Sequence, residues 1–141
     1  MDGLLARLPE LEALEVGVVL VGNGPVTALP AFVSDMNLEG RRATVVTDPS
    51  LVSFRAASLR RPRVHGLRAV VETLRALGVG YRQRRRAGDA MQLGGAFLVD
   101  GAGRVLYAHR GKSPGDLADP SDIVQAALAL RVEQRAAGRL V

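Results

Sequence analysis

The chain has 141 residues, of which 48% are hydrophobic and 23% charged, with a net charge of +5 and no cysteine. That length suits one domain with a core of its own, and the absence of cysteine excludes a thiolate nucleophile, a disulfide or a Cys-ligated zinc built from these residues alone. The positive charge is carried by arginine, with Lys112 the only lysine, and the longest apolar run, residues 16–21, is far too short to cross a bilayer.

The opening stretch, MDGLLARLPELEALEV, places Leu4, Leu8, Leu11 and Leu14 on one helical face. Pro9 disfavours a continuous helix through Leu8 and suits the start of a shorter one, with Gly17 as its stop. The stretch carries acids among its leucines and has neither a basic leader nor a small-residue cleavage site, so a cytoplasmic, unprocessed chain is expected. VGVVLVGNG, residues 16–24, is a β-branched run closed by glycines, the pattern of a strand buried on both faces in a parallel sheet. Leu29, Phe32, Val33 and Met36 recur at helical spacing and predict a helix capped by Thr27, with Pro30 in its first turn and Gly40 as its stop. ATVVTD, residues 43–48, predicts a second strand. Asp48, Pro49 and Ser50 then cap a short helix carrying Leu51, Phe54 and Arg55.

Residues 60–91 read as a basic insertion. Leu67, Val70, Val71, Leu74 and Leu77 form one apolar helical stripe suited to core packing, ended by Gly78 and Gly80. In the following RQRRR, Arg82, Arg84, Arg85 and Arg86 are a candidate basic partner surface, supported by Arg60, Arg61 and Arg63. A solvated loop, or a surface for an acidic protein partner, is the simplest reading of this cluster. A nucleic-acid backbone would also be attracted to it, but Tyr81 is the only aromatic beside it and no nucleic-acid-binding signature accompanies it, so nucleic acid is not expected as a partner. Residues 88–110 predict a hairpin turning at 100–103, with Val105, Tyr107 and His109 on one face and Leu106 and Ala108 on the other. Asp119 and Pro120 cap a last helix with Ile123, Ala127 and Leu130 on its apolar side, and residues 133–141 are expected to fray into a flexible tail. No repeat or linker divides residues 1–141, which read as a single domain.

Few groupings carry chemistry. GNGP, residues 22–25, lies at a strand-to-helix turn where free amides favour anions. It lacks the third glycine of a dinucleotide fingerprint and any P-loop lysine, so a tight turn is the simpler reading. Asp48 reads as a helix cap rather than an acid. His65 and His109 lie far apart and share no ligand-rich motif, so no metal is expected, and no cofactor or catalytic residue is assigned.

The order strand, helix, strand, helix, helical insert, hairpin, helix resembles the later part of an α/β thioredoxin-like fold, a mixed sheet flanked by helices. VVLVGNG, TDPSLVSFRAASLRR, GYRQRRRAGDAMQLGG, FLVDGAGRVLYAHR and the GD at Gly115 resemble the peroxiredoxin-like proteins of the alkyl hydroperoxide reductase and thiol-specific antioxidant (AhpC/TSA) superfamily over residues 16–130. Phe54 stands where these relatives tend to have tyrosine, and Met91 where they tend to have tryptophan or another aromatic. The resemblance implies that residues 1–15 match the back half of the cysteine-bearing helix, so that the central strand and the redox turn are missing and the chain is an N-terminally truncated member. It also implies that Gln92, Gly94 and Gly95 occupy the segment facing the redox turn, where thioredoxins carry a cis-proline and this chain has none. His109 and Arg110 end a strand that borders either the cleft or solvent. An arginine there would stabilise a thiolate only if a cysteine came from elsewhere.

The candidate cleft-facing or binding residues are therefore Gln92, Gly94, Gly95, His109 and Arg110. The implied function is a cysteine-free subunit acting by binding or structure within an assembly, not an autonomous peroxidase. The alternative is one part of a thiol-dependent peroxidase of redox homeostasis, whose cysteine comes from another chain or from upstream sequence. A basic nucleic-acid-associated module is the second alternative. The missing strand would lie between residues 16–22 and 94–100, so a homo- or hetero-oligomer joined through an exposed sheet edge is expected.

Overall fold

The structure, a computed structural model, describes residues 2–61 and 92–139. The predicted apolar stripe of residues 67–77, His65, and the basic surface of Arg82, Arg84, Arg85 and Arg86 lie outside the described residues.

Pro9 divides the leucine-rich opening into α1, Asp2–Ala6, and α2, Leu8–Ala13. It sits in the first turn of α2, where its missing N–H breaks no helical hydrogen bond. Strand β1, Val18–Gly22, runs parallel to β2, Ala43–Thr47, in register from Val18 opposite Ala43 to Gly22 opposite Thr47. The crossover passes through a 3-10 turn at Val26–Ala28 and helix α3, Leu29–Asp35. Thr27 does not cap α3. Ala28 stands at the cap position without a side-chain bond, and the 3-10 turn leads the chain in, with Ala28 N–H donating to Pro25 C=O at 3.0 Å. β1 is not buried on both faces as its valine run suggests: Val18 is buried, but Val19 is 62% exposed and Val21 44%. A run of β-branched residues signals strand on either face, and among the described residues only one face is covered.

Three helix ends share one device that a search for glycine overlooks. α2 stops at Glu15, α3 at Asn37, and α4, Val52–Ala56, at Ser58, each in the left-handed conformation with φ of 58°, 51° and 58°. In each, the following N–H reaches back five residues: Val16 to Leu11 C=O (2.9 Å), Leu38 to Val33 C=O (3.0 Å) and Leu59 to Phe54 C=O (2.9 Å). These are Schellman terminations, which satisfy carbonyls left over at a helix end. The expected stops at Gly17 and Gly40 are thus displaced upstream to Glu15 and Asn37. The hydrophobic contact that accompanies the motif holds the end in place, as where buried Leu38 and half-buried Val33 join the core.

Asp48 precedes α4 and binds its first turn, as its reading as a cap requires. Its carboxylate accepts from the Ser53 N–H and hydroxyl, both at 2.7 Å, and from the Ser50 hydroxyl. Leu51 lies outside the helix in a left-handed conformation rather than inside it, because Asp48 caps from across an intervening turn. The Ser50 hydroxyl first, then the Ser53 hydroxyl and N–H, hold the Asp48 carboxyl down to about 2 from an ordinary 3.8. Because the folded value is lowered, the stabilisation is complete above about pH 4 and is lost as pH falls towards 2. In an acid titration followed by circular dichroism, the stability gap between the parent and Asp48→Ala should narrow over that window and stay constant from pH 5 to 8. A gap independent of pH would refute the role of the charge.

The hairpin comprises β3, Gly95–Val99, and β4, Val105–Arg110, antiparallel with an irregularity between Leu98 and Val99. Asp100 organises its turn by accepting from the N–H groups of Ala102 and Arg104, both at 2.9 Å, while Gly103 takes a φ of +83°. Helix α5, Pro120–Arg139, begins as expected, with Asp119 Oδ1 accepting from Ser121 N–H at 2.8 Å. It does not end as expected, since residues 133–139 continue the helix. Glu133, Gln134, Arg135, Ala136 and Ala137 are all strong helix formers, and Gly138 comes too late to stop it.

One core joins the two sheets. Leu8 and Leu11 of α2, Val18 of β1, Leu38, Leu98 of β3, and Ile123 and Ala127 of α5 form a continuous buried cluster. Arg131 of α5 ties the helices further, donating to Leu14 C=O at 2.9 Å and pairing with Glu15, so a cation meets the C-terminus of α2 where the helix dipole favours it. Among the described residues no helix is long and apolar enough to cross a membrane.

Candidate functional site: a cleft between two strand pairs

Among the described residues, four strands form two separate pairs, β1 with β2 and β3 with β4. Between them lies a cavity of about 2140 Å³ lined by the whole of β1 and the whole of β3, whereas β4 contributes only His109. Leu11 of α2 and Ile123 and Ala127 of α5 stand in its wall, so the cleft opens directly over the hydrophobic core.

Of the predicted site residues, Gly94, Gly95 and His109 line the cleft. Gln92 and Arg110 serve a neighbouring connection instead. The Gln92 amide donates to Arg60 C=O (3.2 Å) and Leu93 C=O (3.0 Å), and Arg110 Nε donates to Ala57 C=O (2.7 Å) with its guanidinium 5.0 Å from the Phe97 ring centre. Both thereby tether the hairpin to the segment after α4. Strand alternation separates His109 from Arg110, one towards the core side and the other away, so the two do not act as a pair.

His109 Nε2 lies 3.2 Å from Asp116 Oδ1, and Asp116 Oδ2 accepts from Lys112 N–H at 2.8 Å. The dyad thus closes the loop that follows β4. Asp116 lines the cleft but was absent from the sequence-derived site, because nothing in GKSPGD distinguishes a carboxylate that meets a histidine from an ordinary turn acid. Other polar groups of the cleft wall are similarly engaged: Thr47 Oγ1 donates to Gly24 C=O, Arg131 pairs with Glu15, and Asp100 pairs with Arg104 at 2.7 Å. GNGP leads from β1 through a bend at Gly24 into the 3-10 turn, and that turn and the seven-residue helix after it add no anion site. The cleft thus combines apolar surface and the backbone of β1 and β3 with charged residues that include Asp35 and Arg42.

No curated protein and no solved structure matches the chain. A family model described as AhpC/TSA antioxidant enzyme matches residues 3–113, taking in α1 and α2 as well as the resemblance read from residue 16 onwards, and stopping before α5. With that match covering most of the chain and an α/β arrangement of small sheets and helices in keeping with a thioredoxin-like fold, the protein belongs to the AhpC/TSA antioxidant enzyme family.

Proposed function

We propose that this chain works by binding or structure within an assembly, as a peroxiredoxin-like subunit that is not itself a peroxidase. The observation that carries this reading is chemical. Reduction of a peroxide by this class of protein needs a thiolate to attack the O–O bond, and the sequence holds no cysteine. Methionine does not substitute, since its sulfoxide requires a separate enzyme to be reduced before another turnover. The wall of the cleft supports a binding role, because Thr47, His109, Asp116, Glu15 and Arg131 are engaged with partners inside the chain.

The family match favours a second reading, in which the same cleft forms part of a thiol-dependent peroxidase whose cysteine comes from another chain or from upstream sequence. Steady-state assays separate the two. The purified chain with dithiothreitol and hydrogen peroxide should consume peroxide no faster than the dithiol alone, and multiple turnovers by the metal-free chain would overturn the proposal. Thiol-dependent turnover that arises only on adding a cysteine-bearing partner would favour the second reading.

A further inference from the structure

Some arginines of this chain are neutralised in place, and others are only anchored. Arg7, Arg41, Arg104 and Arg131 each meet a carboxylate of the chain, that of Glu10, Glu12, Asp100 and Glu15 in turn. Among the described residues Arg55, Arg60 and Arg110 have no such pair, and neutral groups hold two of them in position. Arg55 Nη1 donates to Ser50 C=O at 2.9 Å, and Arg110 Nε donates to Ala57 C=O at 2.7 Å with its guanidinium over the Phe97 ring. A carbonyl or a ring fixes a guanidinium without cancelling its charge, so each is pre-organised to meet an anion. The three residues come from one region. Arg110 is bonded to Ala57, which lies between Arg55 and Arg60 in the chain, and Arg60 C=O accepts from Leu93 N–H at 3.2 Å beside the start of β3. No acid occurs in residues 49–61, 92–99 or 105–110 to offset them. Asp48 precedes α4, but its carboxylate is turned onto Ser50 and Ser53. The result is a basic surface around the C-terminal end of α4.

We propose that Arg55, Arg60 and Arg110 form a docking surface for an acidic segment of a partner protein that carries an apolar side chain among its carboxylates. The proposal extends the binding role given above and rests on it for the existence of a partner. Arginine suits carboxylates because its planar fork donates two parallel bonds, and with Arg110 Nε committed to Ala57 its two Nη groups remain for that purpose. The apolar requirement comes from Val52, which is 58% exposed and stands three residues before Arg55, hence on the same face of α4. A segment with charge alone would leave that valine in water. Nucleic acid fits less well. Its phosphates would meet the arginines, but a base would find Phe54 half-buried and Phe97 already under the Arg110 guanidinium, and a phosphate backbone offers nothing to Val52.

The chain contains no tryptophan, so a peptide carrying one is its own reporter. The probe is a capped peptide of glutamates with one central tryptophan, and its control has glutamine in place of every glutamate. The acidic peptide should bind saturably with a blue shift of tryptophan emission, the control should not bind, and affinity should fall as salt screens the pairs. Arg55→Gln, Arg60→Gln and Arg110→Gln should each weaken binding about threefold, the scale of one exposed charge pair, and Arg55→Gln with Arg60→Gln about tenfold. Val52→Ser should weaken it about twofold or more through lost apolar contact. Arg135→Gln removes the same charge from an exposed position on α5 and should change binding by less than about twofold. Because Arg110→Gln also breaks the tether to Ala57, its thermal unfolding is followed alongside, and the Arg55 and Arg60 variants decide the matter if it does not fold. Three results would overturn the proposal: no binding of the acidic peptide, equal weakening by Arg135→Gln, or weakening only when Arg84, Arg85 and Arg86 are replaced. A DNA duplex that displaces the probe at lower concentration than a second acidic peptide does would assign the surface to nucleic acid instead. Peptide affinity reports on the surface and peroxide turnover on the proposed role, so the two can fail independently.

Discussion

Replacing Leu11 by alanine is expected to lower the free energy of unfolding by about 2–5 kcal/mol, a large part of the roughly 5–15 kcal/mol typical of a whole domain. Leu11 is 1% exposed and has the largest fully buried side chain among the described residues. It belongs to the cluster that unites α2, β1, β3 and α5, so truncating it removes contacts that connect the two strand pairs. Movement of α2 into the vacated space is hindered by two restraints. The Leu11 carbonyl is held by Val16 N–H at the helix end, and α2 is fixed to α5 through Arg131. A site that relaxes little pays for the cavity as well as the lost transfer energy. Leu128→Ala serves as the control, because Leu128 is 51% exposed on α5 and its loss should change stability by about 0.5 kcal/mol or less. Urea denaturation at neutral pH reads both variants, with the slope m unchanged if the unfolded state is the same. A Leu11→Ala cost below about 1 kcal/mol would mean that the two strand pairs do not share a packed core.

The parts of this fold that were legible in the sequence are those set by local chemistry. The strand ATVVT, the turn at Asp100 to Gly103 and the Asp119–Pro120 helix start each carry a signal within a few residues, and each stands where it was expected. The misplaced boundaries have a common cause. Glu15, Asn37 and Ser58 end helices in a conformation usually left to glycine, because the hydrogen bonds and apolar contacts beyond them outweigh a local penalty of roughly 1–2 kcal/mol. No single-residue rule reports such a balance. The candidate site was half legible for a related reason. Gly94, Gly95 and His109 reach the cleft through strand geometry that the hairpin pattern already implied, whereas Arg110 is drawn off by Ala57 and Phe97, and Asp116 is drawn in by His109. Those three contacts depend on how the chain folds back on itself, which no short stretch of sequence states. The family was legible because several short segments occur in the right order, a signal that survives the absence of the cysteine.

Gly95→Ala should destabilise the chain by about 1–3 kcal/mol, while Gly94→Ala, one residue earlier in the same cleft wall, should change stability by no more than about 0.5 kcal/mol. The contrast comes from what a methyl group would meet. At Gly95 it would lie 2.6 Å from Leu59 Cδ2 and 2.7 Å from the His109 carbonyl oxygen, both well inside contact distance. The leucine methyl ends a flexible side chain and can swing aside. The carbonyl cannot, because it belongs to β4 opposite β3, with Ala96 in register with His109, and moving it would pull on the hairpin ladder. At Gly94 nothing lies within 4 Å of the added atom. Since both substitutions reduce the freedom of the unfolded chain alike, that contribution cancels between them and the difference reports the close approach. Chemical denaturation of the two variants side by side measures it, and amide exchange of Ala96 locates it, with faster exchange expected only in Gly95→Ala. Equal stability of the two variants would show that the His109 carbonyl of β4 does not crowd β3 at Gly95, and would remove the constraint that makes glycine necessary at this position in the wall of the cleft.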